Sequence, residues 1–169
     1  MTLQSTFKKQ FSCEFSAPKS EEAGAKLLSA HDRLAALGPA YFSVTYGAGG
    51  STKDGTKQAV VDIRAKGSEV APHLSFGGDS ADKIEALLSE YKNANVTRVV
   101  ALRGDMPSGM GGSVRLTYAN ELVDFIREKT GDHFHIEVAA YPEVHPDSRS
   151  VESDPVSYTH LTLPTSYAV

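Results

Sequence analysis

The chain has little of several features that mark whole classes of protein. It contains one cysteine, Cys13, in 169 residues, which excludes an internal disulfide framework and fits a reducing compartment. No run approaches the roughly 20 apolar residues of a membrane-spanning helix, and the first six residues lack the apolar segment of a signal peptide. Lys and Arg total 17 against 21 Asp and Glu, and they form no dense basic cluster. We therefore expect a cytoplasmic protein that binds neither membrane nor nucleic acid.

What is present is an alternation of short apolar runs with amphipathic segments. The run 99–102 is too short for a helix and is continuously apolar, which favours a strand buried on both faces. Pro72 is expected at the end of its strand, because proline has no N–H to donate within a sheet. We predict strands near residues 11–14, 41–46, 69–74, 98–102 and 135–141, and helices near residues 20–37, 52–66, 80–95 and 116–129.

This order of elements indicates right-handed βαβ units and a parallel sheet. Predicted strands begin about every 30 residues, the spacing of such units. Eight units would form a (β/α)8 TIM barrel of roughly 250 residues. We predict an α/β fold in which residues 1–154 supply about the first five units of that barrel.

Residues able to carry chemistry follow each predicted strand. They are Glu14, Thr45, Tyr46, His73, Arg103, Asp105, Tyr141 and His145. The carboxyl ends of parallel strands share one rim, which is where α/β enzymes bind their ligands. Carboxylates, a cation, histidines and tyrosines gathered at one rim predict a site with acid–base capacity.

Other kinds of site have less support. His73 and His145 belong to different units and lack a local metal-ligand spacing, so we expect no metal. Residues 47–50 form a glycine-rich loop that matches no nucleotide motif; they are either a phosphate-contacting turn or a permissive strand–helix turn. Cys13 and Ser43 are weak candidates for a nucleophile, because Cys13 points opposite to Glu14 on its strand and Ser43 lies in mid-strand.

The final residues differ from the rest of the chain. Residues 155–169 contain no charged side chain, whereas 22% of the whole chain is charged, and they lack the helix expected after the fifth strand. The stretch 156–165 resembles the translation of a transposon-type sequencing adapter. We predict that 155–169 is a non-native tail and that the natural protein continues past Asp154; the alternative is a genuine variable C-terminus.

Five segments, taken together, make the chain resemble the methylenetetrahydrofolate reductase family in its short bacterial form. They are Cys13-Glu14-Phe15 with Pro18, and residues 43–52, 71–74, 100–105 and 139–146, in the family's order. The resemblance implies a (β/α)8 barrel that binds FAD at the carboxyl rim. It also implies reduction of 5,10-methylenetetrahydrofolate to 5-methyltetrahydrofolate, with NADH or NADPH reducing the flavin.

The resemblance further implies roles for matching positions. Glu14 would be the general acid that protonates the folate, and Asp105 would adjust the charge beside flavin and pterin. Thr45 would lie where the nicotinamide stacks. The positions that match FAD contacts are Tyr46, Ala48, His73, Arg103, Gly104, Asp105, Ala119, Tyr141, His145, Ser148 and Asp154. Glu14, flanked by Cys13 and Phe15, is expected to be buried, which suits a general acid that works near neutral pH.

Two other interpretations remain open at this stage. The same rim could serve another α/β-barrel enzyme with a different substrate. Alternatively, the chain could be a truncated polypeptide without activity, because an open sheet edge would expose surface that missing units should cover. We expect the complete protein to bind a folate and to be a homo-oligomer.

Overall fold

The computed structural model describes residues 10–46, 53–76, 80–103 and 119–139. Within them, strands and helices alternate along the chain. The strands are β1 (Cys13–Phe15), β2 (Phe42–Val44), β3 (Val70–Leu74), β4 (Arg98–Ala101) and β5 (His135–Val138). The helices are α1 (Glu21–Ala35), α2 (Lys53–Ala65), α3 (Ala81–Asn93) and α4 (Ala119–Thr130). No helix in these ranges has the length and apolar character needed to cross a membrane.

The five strands form one sheet in the order β1-β2-β3-β4-β5, and every neighbouring pair is parallel. Each of the four helices connects two adjacent parallel strands, which is the βαβ arrangement. The predicted parallel α/β array is therefore confirmed. The strands are shorter than predicted: β2 ends at Val44 and β5 ends at Val138.

Local sequence explains where the helices begin and end. The Ser20 hydroxyl accepts a hydrogen bond from Ala23 N at the start of α1 (3.2 Å), and the Ser80 hydroxyl accepts one from Lys83 N at the start of α3. Such N-caps satisfy amide groups that lack a partner within the helix. Residues with positive φ follow the helices: Gly38, Gly67, Asn95 and Gly131. These left-handed positions stop the helices close to the predicted ends.

One face of the sheet packs against the helices and carries the hydrophobic core. Fully buried strand residues on this face include Phe42, Val44, Val70, Leu74, Val99, Ala101 and Ile136. They belong to one cluster with helix residues such as Val60, Ile63, Ile84, Leu88, Leu122 and Ile126. Burying one such side chain contributes roughly 1.5–3 kcal/mol, so this layer supplies most of the stability of the fold.

Two expectations about the strands were wrong. Val99 and Ala101 are buried but Val100 is only half-buried, because its side chain points to the face that carries no helix among the described residues. Pro72 does not end β3, which continues through His73 to Leu74. Pro72 is the last β3 residue aligned with β2, and the next two residues align with β4. The proline therefore stands where the strand changes its aligned partner.

Candidate functional site

The face of the sheet that lies opposite the helices is polar. Strand register aligns Glu14 with Ser43 and Ser43 with Ala71, and His73 lies two residues further along β3. Since side chains alternate along a strand, these residues share one face, whereas Cys13 lies on the helix side. We call this the inner face. Its members are Glu14, Ser43, Ala71, His73, Arg98, Val100, His135 and Glu137.

Glu14 and His73 meet on the inner face. Glu14 Oε2 lies 3.2 Å from His73 Nε2. The hydroxyl of Ser43 points to the same carboxylate oxygen at 3.5 Å, which is long for a hydrogen bond between oxygens. The expected burial of Glu14 was wrong, since its side chain is 58% exposed while that of His73 is 12% exposed. The reason is geometric: Glu14 lies on the outermost strand of the described sheet and on the face without helices.

The imidazole of His73 is shielded from solvent by its surroundings. Burial lowers the pKa of His73 below its usual value of 6.5, and the nearby charge and hydrogen bond of Glu14 partly oppose this. The ring is therefore neutral at pH 7. In the tautomer with its proton on Nε2, it donates a hydrogen bond to the Glu14 carboxylate.

Thr45 connects the carboxyl ends of β1 and β2 to the start of α2. Its hydroxyl accepts a hydrogen bond from Ala17 N (3.2 Å), and its carbonyl accepts one from the Thr56 hydroxyl (2.8 Å). Gly55 packs so closely that an added Cβ would overlap the Pro18 carbonyl oxygen. These contacts fix the loop that follows Glu14. The predicted stacking of a nicotinamide against Thr45 stays a prediction.

A second polar cluster on the inner face was not predicted from sequence. Glu137 Oε1 lies 2.8 Å from Arg98 Nη1 and 3.2 Å from His135 Nε2. The Arg98 guanidinium also lies over the Tyr41 ring, 5.1 Å from its centroid. The Glu137 side chain is 8% exposed, and its Oε2 is buried with no hydrogen-bond partner in the described part of the chain. The alternation of His135 and Glu137 around Ile136 was the signal that could have shown this cluster.

Ser43 was also missed, because a mid-strand position seemed unsuitable for chemistry. Its position between Phe42 and Val44, which face the helices, places it on the inner face, and the register with Glu14 then brings the two side chains together. Only the pairing of β1 with β2 reveals this contact. The sequence of one strand indicates on which face of the sheet a residue lies, but not which residue of the next strand lies beside it.

The remaining predicted residues divide into two groups. Tyr46, Arg103 and Ala119 are half-buried; Tyr46 and Arg103 lie just past the carboxyl ends of β2 and β4, and Ala119 begins α4. The others lie outside the described residues, as does the tail 155–169: Ala48, Gly104, Asp105, Tyr141, His145, Ser148 and Asp154. Over the described ranges, no group of three or more His, Cys, Asp or Glu could hold a metal ion.

The fold and the site together define a class. Parallel βαβ units, with helices on one face of the sheet and a carboxylate in contact with an imidazole on the other, are typical of part of a (β/α) barrel. The family model for methylenetetrahydrofolate reductase matches residues 2–160. The chain belongs to the methylenetetrahydrofolate reductase family, whose fold is the TIM barrel.

Individual relatives agree with this assignment. The chain is 39% identical over 144 residues to the 5,10-methylenetetrahydrofolate reductase of Escherichia coli (strain K12), an alignment that covers 85% of this chain and 47% of that protein. It is 39% identical over 150 residues to the enzyme of the same name from Pectobacterium carotovorum subsp. carotovorum, covering 88% of this chain and 49% of the relative. It is 38% identical over 167 residues to methylenetetrahydrofolate reductase (NADH) 1 of Arabidopsis thaliana, covering 93% of this chain and 26% of the relative. The chain thus spans about half the length of its bacterial relatives.

Proposed function

We propose that this chain is part of an enzyme that reduces 5,10-methylenetetrahydrofolate to 5-methyltetrahydrofolate, using FAD and either NADH or NADPH. Family membership and the names of the bacterial relatives support the reaction. The name of the Arabidopsis relative includes NADH. The structural observation that carries the proposal is the exposed Glu14 carboxyl group held against His73 on the inner face.

The side chains at the carboxyl ends of the strands suit a flavin dinucleotide. Arg103 follows β4 and offers a planar set of N–H donors for phosphate or flavin oxygens. Tyr46 and His73 add aromatic rings near the same rim, and the inner face between them is polar. When bound, FAD supplies the hydride chemistry that no side chain can perform. We propose that these three residues, together with the other FAD-matching positions, hold the cofactor.

The residues of the chain would position the folate and supply a proton to it. Glu14 is exposed enough for a substrate to reach, and a protonated Glu14 would donate its proton to the folate and so help to open the five-membered ring. His73 would orient the carboxyl group. Asp105 would adjust the charge beside flavin and pterin, and Thr45 would lie beside the nicotinamide. General acids of this kind accelerate reactions about 10²- to 10⁴-fold.

The decisive variant is Glu14→Gln in the protein extended along its gene to the length of its relatives. We expect the purified variant to bind FAD and to be reduced by NADH or NADPH without air, but to reoxidise its flavin with the folate about 10²- to 10⁴-fold more slowly. Glu22→Gln is the matched control, because Glu22 lies on α1 with a 78% exposed side chain and pairs with Lys26. Normal folate turnover by Glu14→Gln would contradict the role of Glu14.

Flavin binding separates this proposal from another barrel enzyme. A complete protein that purifies without flavin and does not bind added FAD would favour a different substrate for the same rim. For the 169-residue chain alone we expect no turnover, because β1 and β5 lie at the edges of the described sheet with one strand neighbour each. Sedimentation would show whether these edges cause association. We further propose a cytoplasmic, homo-oligomeric complete protein, and the single cysteine supports a reducing compartment.

A further inference from the structure

We propose that His73 is a positioning residue for Glu14, and that Ser43 is a second and weaker contact to the same oxygen. The proposal rests on the proposed function in one respect, the assignment of Glu14 as general acid. The contact between the two side chains is independent of that assignment. It can therefore be tested separately.

Both contacts go to one oxygen of the carboxyl group. His73 Nε2 lies 3.2 Å from Glu14 Oε2, and the Ser43 hydroxyl lies 3.5 Å from the same atom. The two partners come from β3 and β2, the strands next in order from β1. Oε2 is therefore the oxygen engaged by β2 and β3, and we expect the folate to meet Oε1, which takes part in neither contact.

The difference in exposure between the two side chains indicates that His73 holds Glu14 in place, and not the reverse. The His73 side chain is 12% exposed, whereas that of Glu14 is 58% exposed. A largely buried ring that needs a hydrogen-bond partner has a defined orientation, while an exposed glutamate on its own samples several rotamers. The contact with His73 therefore restricts the rotamers of Glu14, which is how a supporting residue prepares a reactive group.

Other charged groups on the inner face are engaged elsewhere. Arg98 and His135 both contact Glu137, at 2.8 and 3.2 Å. On β1 itself, Cys13 lies on the helix side of the sheet. Among the described residues, His73 is the titratable group that contacts Glu14.

The first test measures the contact in the 169-residue chain by following the His73 ring signal in NMR spectra across pH. Glu14 raises the pKa of His73 against the larger lowering caused by burial. Glu14→Gln removes the charge, so we expect the pKa of His73 to fall further. The control Glu22→Gln should leave it unchanged. An unaltered His73 titration in Glu14→Gln would overturn the proposal, whatever the enzyme does.

The second test uses the complete protein and follows reoxidation of its reduced flavin by the folate. Each variant is first loaded with FAD and its flavin absorbance and reduction by NADH or NADPH are measured, because His73 is also among the residues proposed to hold the cofactor. His73→Phe keeps a ring but cannot donate to Glu14, and we expect the maximal rate to fall about 10- to 100-fold, since a misplacement of about 1 Å can have that effect. His73→Gln retains an N–H donor and should recover most of the rate. Ser43→Ala should lose less than His73→Phe. The pH profile of this step should move in His73→Phe and stay in place in His73→Gln.

The outcomes distinguish the two proposals. If the protein binds no flavin, the proposed function fails, and the NMR titration still decides the contact. If flavin binds and is reduced by the nicotinamide, but His73→Phe reduces folate with the normal rate and pH profile, the positioning role fails. An equal loss in both His73 variants, with an unmoved pH profile, would mean that His73 only supports the fold and would also overturn it.

Discussion

The two faces of the sheet differ in the side chains that they carry: the helix side is apolar, and the inner face is largely polar. On the helix side, Phe42, Val44 and Ile136 are at most 1% exposed and belong to one continuous hydrophobic cluster. On the inner face, β2 and β5 carry Ser43 and Glu137, and the neighbouring β1 carries Glu14. Adjacent residues of one strand therefore serve opposite roles, and the alternation of side chains keeps these roles apart.

This difference predicts that substitutions on the helix side should mainly lower the stability of the protein, whereas substitutions on the inner face should mainly change its proposed chemistry. Stability depends on apolar area removed from water, which is concentrated on the helix side. The inner face instead holds polar groups in pairs, such as Glu14 with His73 and Arg98 with Glu137.

Phe42→Ala should be the most damaging of these substitutions. The Phe42 ring is 1% exposed and stacks against Phe15 with ring centroids 5.5 Å apart. We expect the free energy of unfolding to fall by about 3–5 kcal/mol, the usual range for a buried phenylalanine. Val100→Ala on the half-buried inner face should cost clearly less. Urea denaturation of both variants measures the difference, and equal losses would contradict the assignment of the faces.

Arg98→Met should have an intermediate effect through Glu137. It leaves the Glu137 carboxylate, whose side chain is 8% exposed, with its His135 contact but without the Arg98 cation, and a buried polar group that loses a partner costs about 1–3 kcal/mol. Adding Glu137→Leu to this variant should restore much of the loss, because an apolar pair can replace a buried ion pair. Denaturant midpoints of the single and double variants decide this. A double variant that is no more stable than Arg98→Met would contradict the prediction that Glu137 destabilises the protein once Arg98 is removed.

Acid should destabilise the chain through His73. Its pKa in the folded protein is lowered by burial, so below pH 6.5 the unfolded chain binds a proton that the folded chain does not. The contribution of neutral His73 to the free energy of unfolding is thus fully present above pH 6.5 and is lost as the pH falls toward the lower pKa of the folded state. Melting temperatures at pH 7.5 and 5.5 should drop more for wild type than for His73→Gln. The same drop in both would exclude His73 as the cause.

Tyr91→Phe should have the smallest effect at neutral pH. The Tyr91 hydroxyl is buried on the helix side and has no hydrogen-bond partner in the described part of the chain, so removing it should leave stability unchanged or slightly raised. Burial also raises the pKa of Tyr91 above its usual value of 10.0. Above pH 10 the Tyr91 hydroxyl ionises in the unfolded chain before it ionises in the folded one. The free energy of unfolding is therefore unaffected by Tyr91 below pH 10 and falls as the pH rises above 10. Tyr91→Phe should therefore resist alkaline unfolding better than wild type, as circular dichroism would show.

The sequence predicts the elements well because their signals are local. Ser20 and Ser80 cap helices, and Gly38 and Gly67 follow helix ends with positive φ, as their types suggest. Pairs of residues on different strands have no local signal. Glu14 meets His73 only because the strand register brings them together, and they are 59 positions apart (73 − 14). The exposure of Glu14 likewise depends on what covers the inner face, which no short motif describes.

The most direct test of the account uses the protein at the full length of its bacterial relatives. This protein is loaded with FAD, reduced with NADH or NADPH without air, and mixed with 5,10-methylenetetrahydrofolate while flavin absorbance is recorded. The account predicts prompt reoxidation in wild type and in Glu22→Gln, and reoxidation about 10²- to 10⁴-fold slower in Glu14→Gln. Equal reoxidation in all three proteins would contradict it.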